Sequence, residues 1–183
     1  MARFKVLNPD EATGKTKDLF ELVKGKMGMV PNVMRIMGNS PAVLNGYLSF
    51  NTALHSASID NKLGELIALA VANENGCDYC DAAHVYFSTK MGLDDTTIDN
   101  ARLGTSTDPK IKTALQFVKE ILDKRGHVSD ASIAAIKAAG FNDAEIIEIV
   151  AKTSFYIFTN YINIVAETVI DWPVQEVIQN HHQ

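Results

Sequence analysis

Apolar residues recur along the chain at helical intervals, interrupted by short polar, glycine-bearing or proline-bearing stretches. Met1 to Pro9 reads as an extended lead-in. Residues 11–26 carry Leu19, Leu22 and Val23 on one stripe, with a start nearer Thr16 because Gly14 weakens the first turn. Gly25 and Gly28 flank a break, and Pro31 suits the first turn of a short helix, where its missing N–H is not needed. Ser40 and Pro41 have the chemistry of an N-cap and a first helical residue, and Val43, Leu44, Tyr47, Leu48, Phe50 and Leu54 follow at helical spacing. Asp60 caps the run Leu63 to Asn75. Its Leu66, Ile67, Leu69, Ala70, Val71 and Ala72 wrap most of the circumference, which predicts a central helix.

Cys77 to Lys90 reads as the next helix, and Asp94 or Asp95 caps another that runs to Arg102. Asp108-Pro109 opens a helix with Ile111, Leu115, Val118, Ile121 and Leu122 on its apolar face. Asp130 is the expected cap of Ala131 to Ala139, with Gly140 ending it. Asn142 and Glu145 make a capping box for the last long helix. Phe155 to Phe158 alone could pass for strand. The helical spacing of Phe155, Phe158, Ile162, Val165 and Val169 favours helix, with Trp172-Pro173 as its stop. The pattern predicts an all-α protein, read as one domain over residues 1–183 with short flexible tails at both ends.

Candidate chemistry is concentrated in ELIALAVANENGCDYCDAAH, Glu65 to His84. Cys77, Cys80 and His84 are spaced i, i+3, i+7, which stacks them roughly on one helical face. Gly76 can turn the chain between two helices, and if those pack side by side, Glu65 reaches His84. A lone buried carboxylate is costly, so His84 is its expected partner. The arrangement is a thiol pair beside an acid–histidine relay. Asp78 and Asp81 fall in the first turn with the thiols; their orientation decides whether they oppose thiolate formation.

This stretch resembles the active-site segment of alkylhydroperoxidase D-like proteins, within the carboxymuconolactone decarboxylase superfamily. The pattern is Glu, eleven residues, Cys-x-x-Cys, three residues, His, matched in full by Glu65, Cys77, Cys80 and His84. Gly28 to Phe50 is similar to the family's upstream helices, and Phe158 to Pro173 to the last helix of its peroxidase-related members. The resemblance implies an alkylhydroperoxidase D-like helical bundle that reduces hydrogen peroxide or organic hydroperoxides. It also implies Cys80 as the peroxidatic cysteine, Cys77 as the resolving one, a regenerating dithiol reductant or reductase, and a homo-oligomer (dimer, trimer or hexamer). From the residues alone, either cysteine could attack. The sequence departs from the family at Tyr79, where the best-known member has a histidine. A phenol with an ordinary pKa near ~10 is a poor proton relay at neutral pH, so Tyr79 is expected to donate a hydrogen bond or line the pocket.

Composition narrows the alternatives. Aspartate and glutamate total 22 against 17 lysines and arginines, a net charge of -5, which argues against nucleic acid as the default partner. No apolar run reaches membrane-spanning length, and residues 1–14 lack a signal-peptide core, so cytoplasm is the expected location. Two neighbouring cysteines are no extracellular disulfide scaffold. Structural zinc usually takes four ligands; Cys77, Cys80 and His84 supply three, so neither a metal nor an organic cofactor is expected. The competing classes are a thiol–disulfide oxidoreductase, a redox sensor, a decarboxylase-like enzyme and a non-enzymatic metal-binding module. His55 lies shortly before the motif and is a candidate pocket residue, whereas His127 reads as a loop residue and His181 and His182 as tail. Met27, Met29, Met34 and Met37 suit either adaptable packing or an apolar wall for an organic hydroperoxide.

Overall fold

A computed structural model describes residues 2–173. Among these residues there are nine α-helices and no β-strand. They are α1 (Gly14–Met27), α2 (Asn32–Met37), α3 (Pro41–Leu54), α4 (Asn61–Asn75), α5 (Asp78–Lys90), α6 (Asp95–Arg102), α7 (Pro109–Asp123), α8 (Asp130–Ala138) and α9 (Asp143–Ala166). None of them is long and apolar enough to cross a membrane.

The apolar girdle of α4 decides the architecture. Ile67, Ala68, Leu69 and Val71 are fully buried, and α5, α6, α7 and α9 pack around the helix. Each such Leu, Ile or Val contributes about 1.5–3 kcal/mol relative to exposure. A second apolar cluster joins α1, α2 and α3 through Leu19, Phe20, Val33, Met34, Met37 and Leu44, and it includes Cys77, Tyr79 and Cys80. The cysteines therefore sit where the two clusters meet.

Most helix starts follow the capping chemistry. Ser40, Asp60, Asp94 and Asp108 each accept a backbone N–H at the N-cap, and Asn142 with Glu145 forms the capping box. Several boundaries differ from expectation; α4, for one, begins at Asn61, two residues before Leu63. The α1 helix begins at Gly14, ahead of Thr16. At α8 the cap is Ser129, one residue before Asp130, because its hydroxyl takes the Ser132 N–H. The α9 helix stops at Ala166, well before Trp172-Pro173. Glu167 adopts a left-handed conformation (φ 49°) and closes it through bonds to Asn163 and Ile164 carbonyls. This frees residues 168–173 to run back across the molecule. His181, His182 and the rest of the expected C-terminal tail lie outside the described residues.

Two charged groups tie elements together. Arg102 of α6 forms a bidentate pair with Asp81 of α5 (2.8 and 2.6 Å), with side chains only 10% and 8% exposed, and adds Asp99 at 2.9 Å. The orientation question for Asp81 is thereby settled: a guanidinium answers its charge. Glu120, near the end of α7, accepts from the Ser132 hydroxyl, Lys124 Nζ and Ser129 N–H, which bridges to the start of α8. These bonds, that of Ser132 first, lower its pKa from 4.5 to about 2.

Arg102→Ala strands a buried aspartate and is expected to destabilise the fold by about 3–5 kcal/mol. The check is urea unfolding, read as a lower midpoint at unchanged slope. For Glu120 the folded value lies below the unfolded one. Its stabilisation is therefore complete above the ordinary carboxylate range and lost as pH falls through about 2. The melting-temperature gap between wild type and Glu120→Gln should be widest at neutral pH and close across that interval.

Candidate active site

The site is built at the junction of α4 and α5. Gly76 ends α4 in the left-handed region (φ 65°), a conformation strained for residues with a Cβ. Cys77 follows at once as the N-cap of α5, its Sγ accepting the Cys80 N–H at 3.3 Å. So short a connection lays the helices side by side. Glu65 on α4 thus meets His84 on α5, with Oε2 to Nδ1 at 2.8 Å and both side chains about 15% exposed (15% and 16%). A carboxylate only accepts, so Nδ1 carries the proton and Nε2 is left as the basic nitrogen. Cys77 and Cys80 are joined as a disulfide across one turn, Cα to Cα 5.3 Å, and each is 3% exposed.

Aromatic groups wall this pair. Tyr156 of α9 sets its ring edge-on to His84 at 5.1 Å. Burial first, then the charge of Glu65, pushes the Tyr47 phenol up to about 12 and raises Tyr156 well above its ordinary value. Both stay neutral at working pH. Lys152 of α9 is buried against Gly64, where a Cβ would meet its Nζ at 3.1 Å. Burial lowers the Lys152 pKa, while Glu65 and Glu148 pull the other way.

Cys80 and His84 line a small cavity of about 70 Å³ together with Tyr79, Met34, Phe87, Asn163 and Trp172. Asn163 donates from Nδ2 to Cys80 Sγ at 3.3 Å. Across the opening, residues 168–173 are held as a strap. Asp171 accepts from the Tyr79 hydroxyl and from the Asn32 N–H, both at 2.7 Å, and Val169 O accepts from Asn32 Nδ2 at 3.0 Å. The Trp172 ring packs on Phe87 and Tyr86, with centroids 5.0 and 5.6 Å apart. Burial and the Asp171 carboxylate raise the Tyr79 phenol far above its ordinary range. Tyr79 therefore stays protonated and donates to Asp171 from the cavity wall.

The structure brings Glu65, Cys77, Tyr79, Cys80 and His84 together. His55 is a correction: it occupies the exposed C-cap of α3 and lies outside the cavity lining. Among the methionines, Met27 and Met34 line the cavity, while Met37 lies in the buried second cluster. His127 is exposed. Among the described residues, no three His, Cys, Asp or Glu side chains converge as metal ligands. Sequence reasoning missed Lys152, Asn163, Asp171 and Trp172. A signal for two of them was present: Lys152, Tyr156, Asn160 and Asn163 recur every four or three residues along α9, a polar stripe on its buried face. For Asp171 and Trp172 the apolar spacing points instead to the end of a helix, which α9 does not reach.

Residues 41–120 match the carboxymuconolactone decarboxylase family. No curated protein matches the sequence significantly. The fold is similar to that of the alkylhydroperoxidase AhpD core of an uncharacterized peroxidase-related protein from Ralstonia eutropha JMP134. That likeness has a TM-score of 0.83 at 21% identity over 93% of this chain and 92% of the other. An uncharacterized peroxidase-related protein from Silicibacter sp. TM1040 gives 0.78 at 23% identity, covering 92% and 94%. The debrominase Bmp8, in complex with 2,3,4-tribromopyrrole, gives 0.79 at 18% identity, covering 93% and 94%. The chain carries a carboxymuconolactone decarboxylase family domain at residues 41–120, within an alkylhydroperoxidase D-like all-helical fold.

Proposed function

We propose that this protein reduces hydroperoxides through a dithiol–disulfide cycle of Cys80 and Cys77. One observation carries the reading: Cys80 lines a cavity with His84, His84 is oriented by Glu65, and the second thiol lies one helical turn from the first. In the reduced protein Cys80 stands in the first turn of α5, where the helix N-terminus favours a thiolate. The thiolate attacks the terminal peroxide oxygen. The O–O bond breaks, Cys80 becomes a sulfenic acid, and the leaving alkoxide or hydroxide takes the proton that His84 Nε2 received from the Cys80 thiol as the thiolate formed. The Cys77 thiol then condenses with the sulfenic acid, releasing water and forming the disulfide. An external dithiol returns two electrons and two protons in a reducing compartment such as the cytoplasm. A homo-oligomer is part of the same reading.

Cavity size argues for a peroxide end rather than a whole ring. An engineered cavity that takes benzene measures about 150 Å³, against about 70 Å³ here. That disfavours reductive dehalogenation of a ring like the one bound to Bmp8. The burial of both sulfurs likewise favours a small oxidant over the face of a folded protein, the partner of a general thiol–disulfide oxidoreductase.

The test uses reduced C77S and C80S with hydrogen peroxide or cumene hydroperoxide, a sulfenic-acid trap and intact mass. One oxygen should add at Cys80 in C77S, with no fast addition in C80S. The reverse pattern makes Cys77 the attacker, and no reaction faster than an ordinary exposed thiol refutes the peroxidase. His84→Ala should slow the peroxide step by about 10²–10⁴-fold, measured by stopped flow on folded protein. A loss under threefold would remove His84 from the proton path.

A further inference from the structure

We infer that Asn163 is a catalytic residue of this site: its Nδ2 holds the Cys80 sulfur, and its Oδ1 accepts the O–H of the incoming hydroperoxide. The inference rests on the peroxidase reading above and assigns the substrate a contact. Asn163 is 3% exposed and lines the cavity beside Cys80 and His84. One end of its amide is used, Nδ2 donating to Cys80 Sγ at 3.3 Å. The other end, Oδ1, is buried without a hydrogen-bond partner among the described residues. Native structures rarely leave such an acceptor orphaned, so it calls for an explanation.

Packing alone does not supply one. The neighbouring Asn160, just as buried, has its Oδ1 satisfied by Asn75 Nδ2 at 2.9 Å. Other polar groups on the cavity wall are also used: His84 by Glu65, Tyr79 by Asp171 and Thr159 by the Phe155 carbonyl. The buried Trp172 Nε1, on the same wall, lies beside the Tyr79 hydroxyl but makes no hydrogen bond of acceptable geometry. Besides His84 Nε2, which serves as the proton-transfer group, the wall thus offers an unpaired acceptor in Asn163 Oδ1 and an unpaired donor in Trp172 Nε1. A hydroperoxide presents the complement, an O–H on the oxygen to be attacked and lone pairs on both oxygens. A thiolate accepts and never donates, so in the reduced protein Nδ2 must face the sulfur and Oδ1 must face away. Binding the terminal O–H at Oδ1 fixes that oxygen beside the nucleophile, and the hydrogen stays on it as the sulfenic acid forms.

Two reagents separate contact with substrate from support of the thiolate. Reduced C77S and C77S carrying Asn163→Ala or Asn163→Asp are reacted with iodoacetamide and with hydrogen peroxide across pH, and thermal melts confirm folding. Loss of the Nδ2 donor should move the iodoacetamide midpoint to higher pH in both variants. Above both midpoints, where Cys80 is fully thiolate, Asn163→Ala should match the parent with iodoacetamide. It should still be at least about tenfold slower with peroxide, the scale of one lost hydrogen bond. Asn163→Asp keeps an acceptor and should recover most of that peroxide rate. Equal losses with both reagents, or none, overturn the Oδ1 contact, and an unmoved midpoint overturns the Nδ2 role. If the parent thiol itself reacts with peroxide no faster than an exposed thiol, the peroxidase reading fails and takes the Oδ1 contact with it. The iodoacetamide profile still decides the Nδ2 role.

Discussion

A carboxylate on a helix buried on nearly every side must be met by a donor, and Glu65 is met by His84 at 2.8 Å. Much of the site follows from that bond. It requires α4 and α5 to lie alongside one another, which the Gly76–Cys77 junction enforces. It leaves His84 with a fixed tautomer and a free basic nitrogen. It also fixes the face of α5 that turns inward, and with it the side of Cys80 that meets the cavity.

The surrounding charges keep this arrangement from competing with itself. Asp81 sits one residue after Cys80, where an unpaired carboxylate would oppose a thiolate. Arg102 takes both its oxygens instead. Tyr79 departs from the histidine expected by resemblance and has been turned to another use. Its hydroxyl anchors Asp171, and so the strap that places Trp172 over the cavity. In the proposed cycle the proton path is correspondingly short, with His84 oriented by Glu65 and no intermediate phenol.

The all-helical fold was legible because periodicity and capping agree along most of the chain. The girdle of α4 announced a central helix, and the Asn142–Glu145 capping box marked the start of α9. The four residues of the cysteine motif were legible because they lie within one short stretch, where helical spacing alone places them together. Asn163, Asp171 and Trp172 were not, since each reaches the site from about 80 or more residues away. Cys80 to Asn163 spans 83 positions and Tyr79 to Asp171 spans 92. The end of α9 misled for a local reason. Val169 continues the apolar spacing past Ala166, but Glu167 takes the left-handed conformation that breaks it. His55 misled by proximity in sequence, because the C-cap of α3 faces solvent.

In the proposed cycle the reduced Cys80 and Cys77 act together as a two-electron donor to the O–O bond. The most direct test of this role is a stoichiometric titration of the fully reduced, metal-free wild-type protein with hydrogen peroxide, followed by intact mass and free-thiol count. One equivalent should remove both thiols and two hydrogens, with no oxygen retained, faster than peroxide oxidises an ordinary exposed thiol. Retention of both thiols, or stepwise gain of oxygen without disulfide, would contradict it.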